Sequence, residues 1–170
     1  MAKKMVACTE CQEEVFKAFD AKRVLLVSQG DKNVPNVMAI GWGSLGIIWK
    51  KPVFTVLIRP SRYTYSFLEE SGEFTVNIVA PGREEIVKYC GTVSGREVNK
   101  FEAKQLTAIP SSQVKTPIIK EAFLHFECKI IYKSDLVPSA LVKPILQEIY
   151  AGSSDYHRIY FAEVVACQRD

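Results

Sequence analysis

The chain is short of the groups from which most catalytic machinery is built. Its 170 residues hold only two histidines, His125 and His157, and no serine is marked as the nucleophile of a triad. HExxH and GxxxxGK[ST] are both missing, which removes the helical zinc-protease and P-loop signatures. Long hydrophobic runs are missing too. The longest apolar region, Val37 to Trp49, is interrupted by Gly41, Gly43 and Gly46 and falls short of the roughly 18 apolar residues that a spanning helix needs. The N-terminal MAKKMVACTECQEEVF turns acidic before an apolar stretch develops, so it does not read as a secretory leader. The expectation is a soluble, cytoplasmic protein. Charge of one sign is also scarce: 22 Lys and Arg stand against 19 Asp and Glu, a net +3, without the concentrated basic stripe of a general nucleic-acid binder.

Five scattered cysteines, Cys8, Cys11, Cys90, Cys128 and Cys167, form an odd set that favours free thiols over a disulfide framework. Cys8-Thr-Glu-Cys11 has the spacing of a redox dithiol or of half a zinc site. A structural zinc needs two further ligands, and the only similar spacing, His125-Phe-Glu-Cys128, falls inside a strand pattern. The simpler reading is two thiols near a terminus, with no metal.

What the chain does have is 48% hydrophobic residues, enough for one compact domain over residues 1–170, with residues 1–20 as an N-terminal extension and helix. Thr9 to Phe19 reads as a short helix capped by Thr9, its apolar face made by Val15, Phe16 and Phe19. Arg23–Ser28 and Asn36–Ile40 read as strands, the first closed by a turn at Gly30-Asp31. Val53–Ile58 and Phe74–Ile78 are β-branched runs of strand length. Phe123–Ser134 alternates, placing Phe126, Cys128, Ile130 and Tyr132 on one side and His125, Glu127 and Lys129 on a surface or interface row. His157–Cys167 is a final strand. Short helices are expected over 63–70, 83–90 and around 98–103, with a broken one over 137–150 and an extended connection over 104–121. About six strands without a βαβ rhythm point to a mostly β, antiparallel barrel with short helices at its rim.

Two places carry candidate chemistry. Between the strand ending at Ile58 and the helix beginning at Tyr63 lies Arg59-Pro-Ser-Arg-Tyr-Thr64. Two cations, two hydroxyls and the free amides of a helix start, with Ser61 placed to cap it, suit a phosphate; a solvated strand-to-helix connection has the same composition. Ser94, Arg96 and Lys100 offer a second set of anion contacts. Further back, Gly41 and Gly43 bracket Trp42. Missing side chains beside an indole leave a slot for a flat ring, or mark a bulged strand. Gly41 to Gly46 also matches GxGxxG, but without the strand–turn–helix context or the acidic residue of a dinucleotide fold. A chain this poor in acid–base groups would do its chemistry through a bound cofactor.

Asn36-Val-Met-Ala-Ile-Gly-Trp42, Trp49-Lys-Lys-Pro52, Arg62-Tyr-Thr-Tyr65, Ser71–Ile78 and Cys90-Gly-Thr-Val-Ser-Gly-Arg-Glu-Val-Asn-Lys-Phe101 together resemble the flavin reductase-like family of FMN-binding split barrels, and its flavoredoxin-type branch most. The resemblance runs in order from about Arg23 to Val165. It implies a six-stranded antiparallel split barrel of Greek-key type that forms homodimers, with non-covalent FMN near the subunit interface. Asn36 and the segment Met38, Ala39, Ile40, Gly41, Trp42, Gly43 and Ser44 would line the isoalloxazine. Arg59, Ser61, Arg62, Tyr63 and Thr64, joined by Ser94 and Lys100, would hold the ribityl phosphate. His157 would reach the ring or the substrate side, Asn77 would fix local backbone, and Asn99 stands where relatives often carry Asp. The implied activity is hydride transfer from NADH or NADPH to flavin, with electrons passed to free flavin or a redox protein. An FMN carrier without its own NAD(P)H oxidation, and a flavin-free ligand-binding barrel, are the alternatives. Neither the Cys8/Cys11 pair nor a redox role for Cys90 is part of what the resemblance implies.

Overall fold

The computed structural model describes residues 3–30 and 34–170; Asp31 of the expected turn lies outside them. A two-residue strand β1 (Lys4–Met5) leads through a 3-10 turn (Cys8–Cys11) into helix α1 (Gln12–Asp20). Then come β2 (Val24–Gln29), β3 (Pro35–Ala39), β4 (Gly43–Ile48), β5 (Lys51–Ile58), α2 (Tyr63–Ser71), β6 (Glu73–Val79), α3 (Glu84–Thr92) and α4 (Lys100–Ala103). The short pair β7 (Ala108–Ile109) and β8 (Ile118–Ile119) precedes β9 (Ala122–Asp135), α5 (Lys143–Tyr150) and β10 (Arg158–Arg169).

Every strand pairing among the described residues is antiparallel, and the main sheet runs β3-β2-β6-β9-β10-β5-β4, with β1 added along β10. Its two outer strands, β3 and β4, are consecutive in sequence and joined only by residues 40–42. A link that short spans at most about 14 Å, so the sheet curls until its ends meet. The seam is the split of the barrel, and Gly41 and Trp42 lie in it.

Besides the two-residue strands β1, β7 and β8, the strand beyond the expected six is β4, which forms through its glycines. A ladder needs backbone groups, which glycine supplies. At Gly43 a Cβ would come within 2.7 Å of both the Phe19 ring and the Thr55 carbonyl oxygen, so the missing side chain makes room for α1.

Apolar side chains fill the barrel from alternate positions: Val24 and Leu26 of β2, Phe54 and Val56 of β5, Phe74 and Val76 of β6, Phe126 of β9 and Tyr160 of β10. Leu25 and Val27 point the other way, into a second cluster with Ile86, Val87 and Phe101 of the covering helices. A strand covered on both faces reads as a continuous apolar run, which is why β2 is VLLV.

Four local expectations give way. Thr9 sits inside the 3-10 turn, and α1 starts at Cys11 without a side-chain cap; Phe16 is 78% exposed rather than part of an inner face. Ser61 does not cap α2, whose N-cap is Arg62. His125 is buried, not superficial. Its Nδ1 meets Asn77 Oδ1 at 2.9 Å, and the same oxygen accepts from the Ile119 amide at 2.9 Å. That network fixes β8 on the sheet, the backbone role expected of Asn77. Glu127 beside it is also buried, holding the amides of Ser112 (2.9 Å) and Gln113 (2.6 Å). Tyr132 is exposed although Phe126 and Cys128 face the core. The register between β9 and β10 shifts where Phe161 pairs with Tyr132 and Ala162 with Ile130, and a one-residue bulge at Ile131 turns the next side chain to the opposite face.

Candidate functional site

A cavity of about 460 Å³ opens beside the seam, within the range of roughly 300–1,000 Å³ usual for small-molecule sites. One wall is the end of β3 and the seam itself, from Asn36 through Met38, Ala39, Ile40, Gly41 and Trp42. A second is the β5–α2 loop, with Arg59, Ser61, Arg62, Tyr63 and Thr64. The end of α3 and the turn after it supply Cys90–Arg96, Lys100 comes from α4, and His157 from the residue before β10. Of the residues expected at the site, all but Gly43 and Ser44 border this cavity. Those two belong to β4, where Gly43 is filled by Phe19 and Ser44 is exposed. Leu57 and the Cys90–Val93 and Gly95 segment were not singled out as site residues; only their continuity with Ser94 in the chain gave a sign of them.

Among the described residues the lining contains four cations, Arg59, Arg62, Arg96 and Lys100, and no carboxylate. Lys100 is only 6% exposed. Its Nζ donates to the Cys90 carbonyl at 2.7 Å, and burial together with the charge of Arg62 lowers its pKa. A buried ammonium with a carbonyl for company is short of counter-charge. Asn99 caps α4 by accepting from the amides of Phe101 (3.2 Å) and Glu102 (3.5 Å), so the cap survives with Asn in place of Asp.

Two other cations are partly committed to backbone. Arg59 donates to the carbonyls of Asp155 (2.9 Å) and Ile149 (3.2 Å) and lies over the Tyr150 ring, pinning the segment after α5 to the mouth of the site. Arg96 donates to the Ser61 carbonyl at 3.1 Å and covers Tyr63, which ties the two anion-facing loops together. Ser61 donates its hydroxyl to Asp155 Oδ2 at 2.6 Å, and its amide to Oδ1 at 3.2 Å; Asp155 was not anticipated from the sequence. Asn36 Nδ2 donates to Thr64 Oγ1 at 2.8 Å. A Cβ on Gly95 would lie 2.1 Å from Asn36 Oδ1, so glycine there is what lets the Asn36–Thr64 pair stand against the loop.

At the seam a Cβ on Gly41 would meet nothing within 4 Å. The backbone there is open to the cavity, and the slot expected around Trp42 is open on this side alone. The indole, 45% exposed, leans on His157 with ring centroids 5.0 Å apart. His157 is buried, which together with the positive charges of Arg59 and Arg62 lowers its pKa to about 4. The Tyr150 hydroxyl accepts from the His157 amide and lies 2.6 Å from Nδ1. This contact fixes the orientation of the neutral imidazole beside the cavity. Cys90 is buried, its thiol pushed up to about 11 by burial, as suits packing rather than thiolate chemistry.

A larger cavity of about 640 Å³ adjoins the first and shares Asn36, Tyr63, Gly95, Arg96 and Lys100 with it. It also carries Glu70 and Glu97, so it lacks the uniform positive sign of its neighbour. Among the described residues no group of three or more His, Cys, Asp or Glu is placed to hold a metal ion, and no helix is long and apolar enough to cross a membrane.

Comparison with known proteins gives the arrangement a context. A family model described as "Flavin reductase like domain" matches residues 17–170. An uncharacterized protein of Archaeoglobus fulgidus is 35% identical over 113 residues, 66% of this chain and 62% of the relative. The match therefore spans less than two thirds of that relative's length. The structure of a flavoredoxin from Methanosarcina acetivorans superposes with a TM-score of 0.66 at 27% identity, covering 88% of this chain and 69% of the other. An FMN-binding domain of a flavin reductases-like enzyme from Shewanella baltica gives a TM-score of 0.69 at 19% identity over 99% of this chain and 78% of the other, a likeness of fold.

Proposed function

Since the chain belongs to the flavin reductase-like family of split barrels, we propose that the cavity at its seam holds FMN and that the protein is an oxidoreductase working through that flavin. The observation that carries this is the charge of the lining: among the described residues it holds four cations, one of them a buried lysine hydrogen-bonded to a carbonyl, and no acidic residue. A phosphate dianion supplies the missing counter-charge, and charge-assisted hydrogen bonds are about twice as strong as neutral ones.

The residues present fit the group. Arg62, Ser61, Thr64, Ser94 and Lys100 hold the phosphate, while Arg59 and Arg96 brace the loops that present them. Gly41, lacking a side chain, lets backbone come against the ring, and Trp42 and His157 border it. FMN held there would supply the chemistry of accepting a hydride from a reduced nicotinamide and releasing electrons onward. The chain's own part is to shape the slot, neutralise the phosphate and set the His157 imidazole beside the ring. NADH or NADPH is the donor, and free flavin or a redox protein the acceptor.

The protein works as a homodimer with the site near the interface. Supporting this, Trp49, Tyr132 and Phe161 form an aromatic cluster on the outer face of β4, β5, β10 and β9, with centroids 5.4–6.1 Å apart. Trp49 is 61% exposed, and its cluster partner Tyr132 is exposed as well. Contiguous apolar surface of this kind marks an interaction site.

The test is FMN titration followed by anaerobic mixing with NADH and with NADPH. Binding with bleaching of the 450 nm flavin band (about 450 nm for any oxidised flavin) within minutes is expected. Binding without bleaching removes the nicotinamide step and makes the protein an FMN carrier; no binding overturns the flavin site. Replacing Arg62 and Thr64 together by Ala should weaken FMN at least about tenfold, roughly the loss of one charged hydrogen bond, with the barrel still folded by circular dichroism. Unchanged affinity would put the phosphate elsewhere.

A further inference from the structure

The Cys8-Thr-Glu-Cys11 motif plays no part in the cavity, yet the fold gives it a partner the sequence did not suggest. Strand β1 pairs with the end of β10, Lys4 opposite Arg169 and Met5 opposite Gln168, and the Val6 amide donates to the Cys167 carbonyl at 3.0 Å. The chain then turns through the 3-10 segment and sets Cys11 over that same residue: the Cys11 and Cys167 sulfurs are 3.8 Å apart, both buried. Residues 156 apart in sequence are thus in sulfur–sulfur contact at the two ends of the chain. Cys8, one 3-10 turn earlier, is only partly buried and near enough to both thiols to raise them.

We propose that Cys11 and Cys167 form a reversible oxidation site, a dithiol that low-molecular-weight disulfides convert into a disulfide stapling the N-terminal helix to the last strand. The chemistry balances without a metal or flavin. The Cys11 thiolate attacks one sulfur of the oxidant RSSR, forming a mixed disulfide and releasing RS⁻. Cys167, having given up its proton, then attacks Cys11 Sγ, forming the protein disulfide and releasing the second RS⁻. Both leaving thiolates take up the protons the cysteines lost, so two protein thiols are oxidised and RSSR is reduced to two RSH.

The surroundings assign the roles. Burial raises both thiols, but Cys11 is helped back toward the thiolate by the hydrogen bond from Cys167 and by Arg169, whose Nη2 lies 4.0 Å from its sulfur. Glu14, paired with Arg169, opposes that help. Cys11 is therefore the attacking sulfur and Cys167 the resolving one. Access comes from opening of β1, which is two residues long with both exposed. The pair does not exchange electrons with the cavity: Cys167 lies nine positions beyond Arg158 on β10, about 30 Å along the strand at roughly 3.3 Å per residue.

Incubation of the whole protein with oxidised glutathione, then acid quenching, alkylation and non-reducing peptide mapping, tests this. The expected product has lost two hydrogens and joins the peptides of Cys11 and Cys167. A loop this long should raise the Tm of the oxidised protein by about 5–15 °C, and dithiothreitol should reverse the change. Cys8→Ala should still form the link; Cys167→Ala should not gain the Tm shift. A Cys8–Cys11 linkage, stable glutathione adducts without a crosslink, or full alkylation of all five cysteines after oxidation would each overturn the proposal.

Discussion

Lys100 shows how a single residue exposes the purpose of the cavity. A lysine 6% exposed and hydrogen-bonded to one carbonyl carries a desolvation cost that the apo fold does not repay. Lys100→Met keeps the stem and removes the charge. It should leave apo Tm within about 3 °C, a change of roughly 1 kcal/mol or less, while FMN affinity falls at least about tenfold. A large loss of Tm with unchanged affinity would make Lys100 a structural residue only. Gly95 is the steric counterpart. Gly95→Ala puts a methyl onto Asn36 Oδ1 and Tyr63, so Asn36 must release Thr64. FMN binding should weaken several-fold, and the double variant with Thr64→Ala should lose less than the sum of the two single losses, because Gly95→Ala acts through the Asn36–Thr64 bond while Thr64→Ala removes that bond together with a phosphate contact; additive losses would contradict that coupling.

The two histidines are a second lesson at this scale. Each is neutral in the fold with its pKa lowered to about 4, His125 by burial and the nearby Lys3 (Asp170 opposing), His157 by burial, Arg59 and Arg62 (Asp155 opposing). His125 Nδ1–H donates to Asn77, and Nε2 makes no hydrogen bond among the described residues, while the Ala122 backbone works against the lowering. The unfolded chain takes up protons near pH 6.5, the native one only near pH 4. Stability is therefore fully present above about 6.5 and falls as pH drops toward 4, by up to about 3 kcal/mol for His125. Urea midpoints at pH 7 and pH 5 measure this, and His125→Gln should remove part of the slope. A slope unchanged in that variant would assign it to other groups.

At the scale of elements, legibility followed periodicity. The β2, β5, β6 and β10 strands, and Ile86 and Val87 on the inner face of α3, were readable because their apolar residues recur at the spacing of the element. The β5–α2 loop was readable as a cluster of cations, hydroxyls and a helix start because those residues are contiguous, and the structure sets them on the wall of the cavity. What stayed hidden depends on partners distant in sequence. Ser61 does not cap α2 because Asp155, 94 residues away, accepts its hydroxyl and its amide. His125 is buried because Asn77 and β8 cover it. Tyr132 faces outward because a bulge at Ile131 reverses the alternation. Gly43 reads like Gly41 in sequence, yet one is filled by Phe19 from α1 and the other borders the cavity. No local pattern distinguishes them. The Asp155 contact also means that a phosphate near Ser61 meets a hydroxyl already engaged by a carboxylate. Asp155→Asn should accordingly tighten FMN binding rather than weaken it, by a few-fold in a titration; a loss would show that Asp155 supports the loop instead of competing for it.

The whole molecule is where the Trp49 turn finds its meaning. Strands β4 and β5 are joined by two residues, Trp49 and Lys50, both with positive φ, 51° and 62°. Such a turn favours Asn-Gly and disfavours a bulky residue. Tryptophan in that place costs local stability, and in the single chain its ring gains only partial cover from Tyr132 and Phe161. A second copy of the chain, covering this face, would bury the indole and offset the strain. Phe161 lies four residues after His157, about 13 Å along the strand, so the proposed interface and the cavity share one element. Replacing Trp49-Lys50 by Asn-Gly separates the two contributions. The turn becomes better suited to its backbone, so the isolated chain should unfold at equal or higher denaturant concentration. Association, measured by sedimentation over a dilution series, should weaken at least about tenfold, as loss of a buried aromatic anchor does. Where the interface orders the site, FMN affinity should fall with the fraction of dimer and recover at high protein concentration. A variant as tightly associated as the parent would remove Trp49 from the interface and leave its strained turn without this explanation.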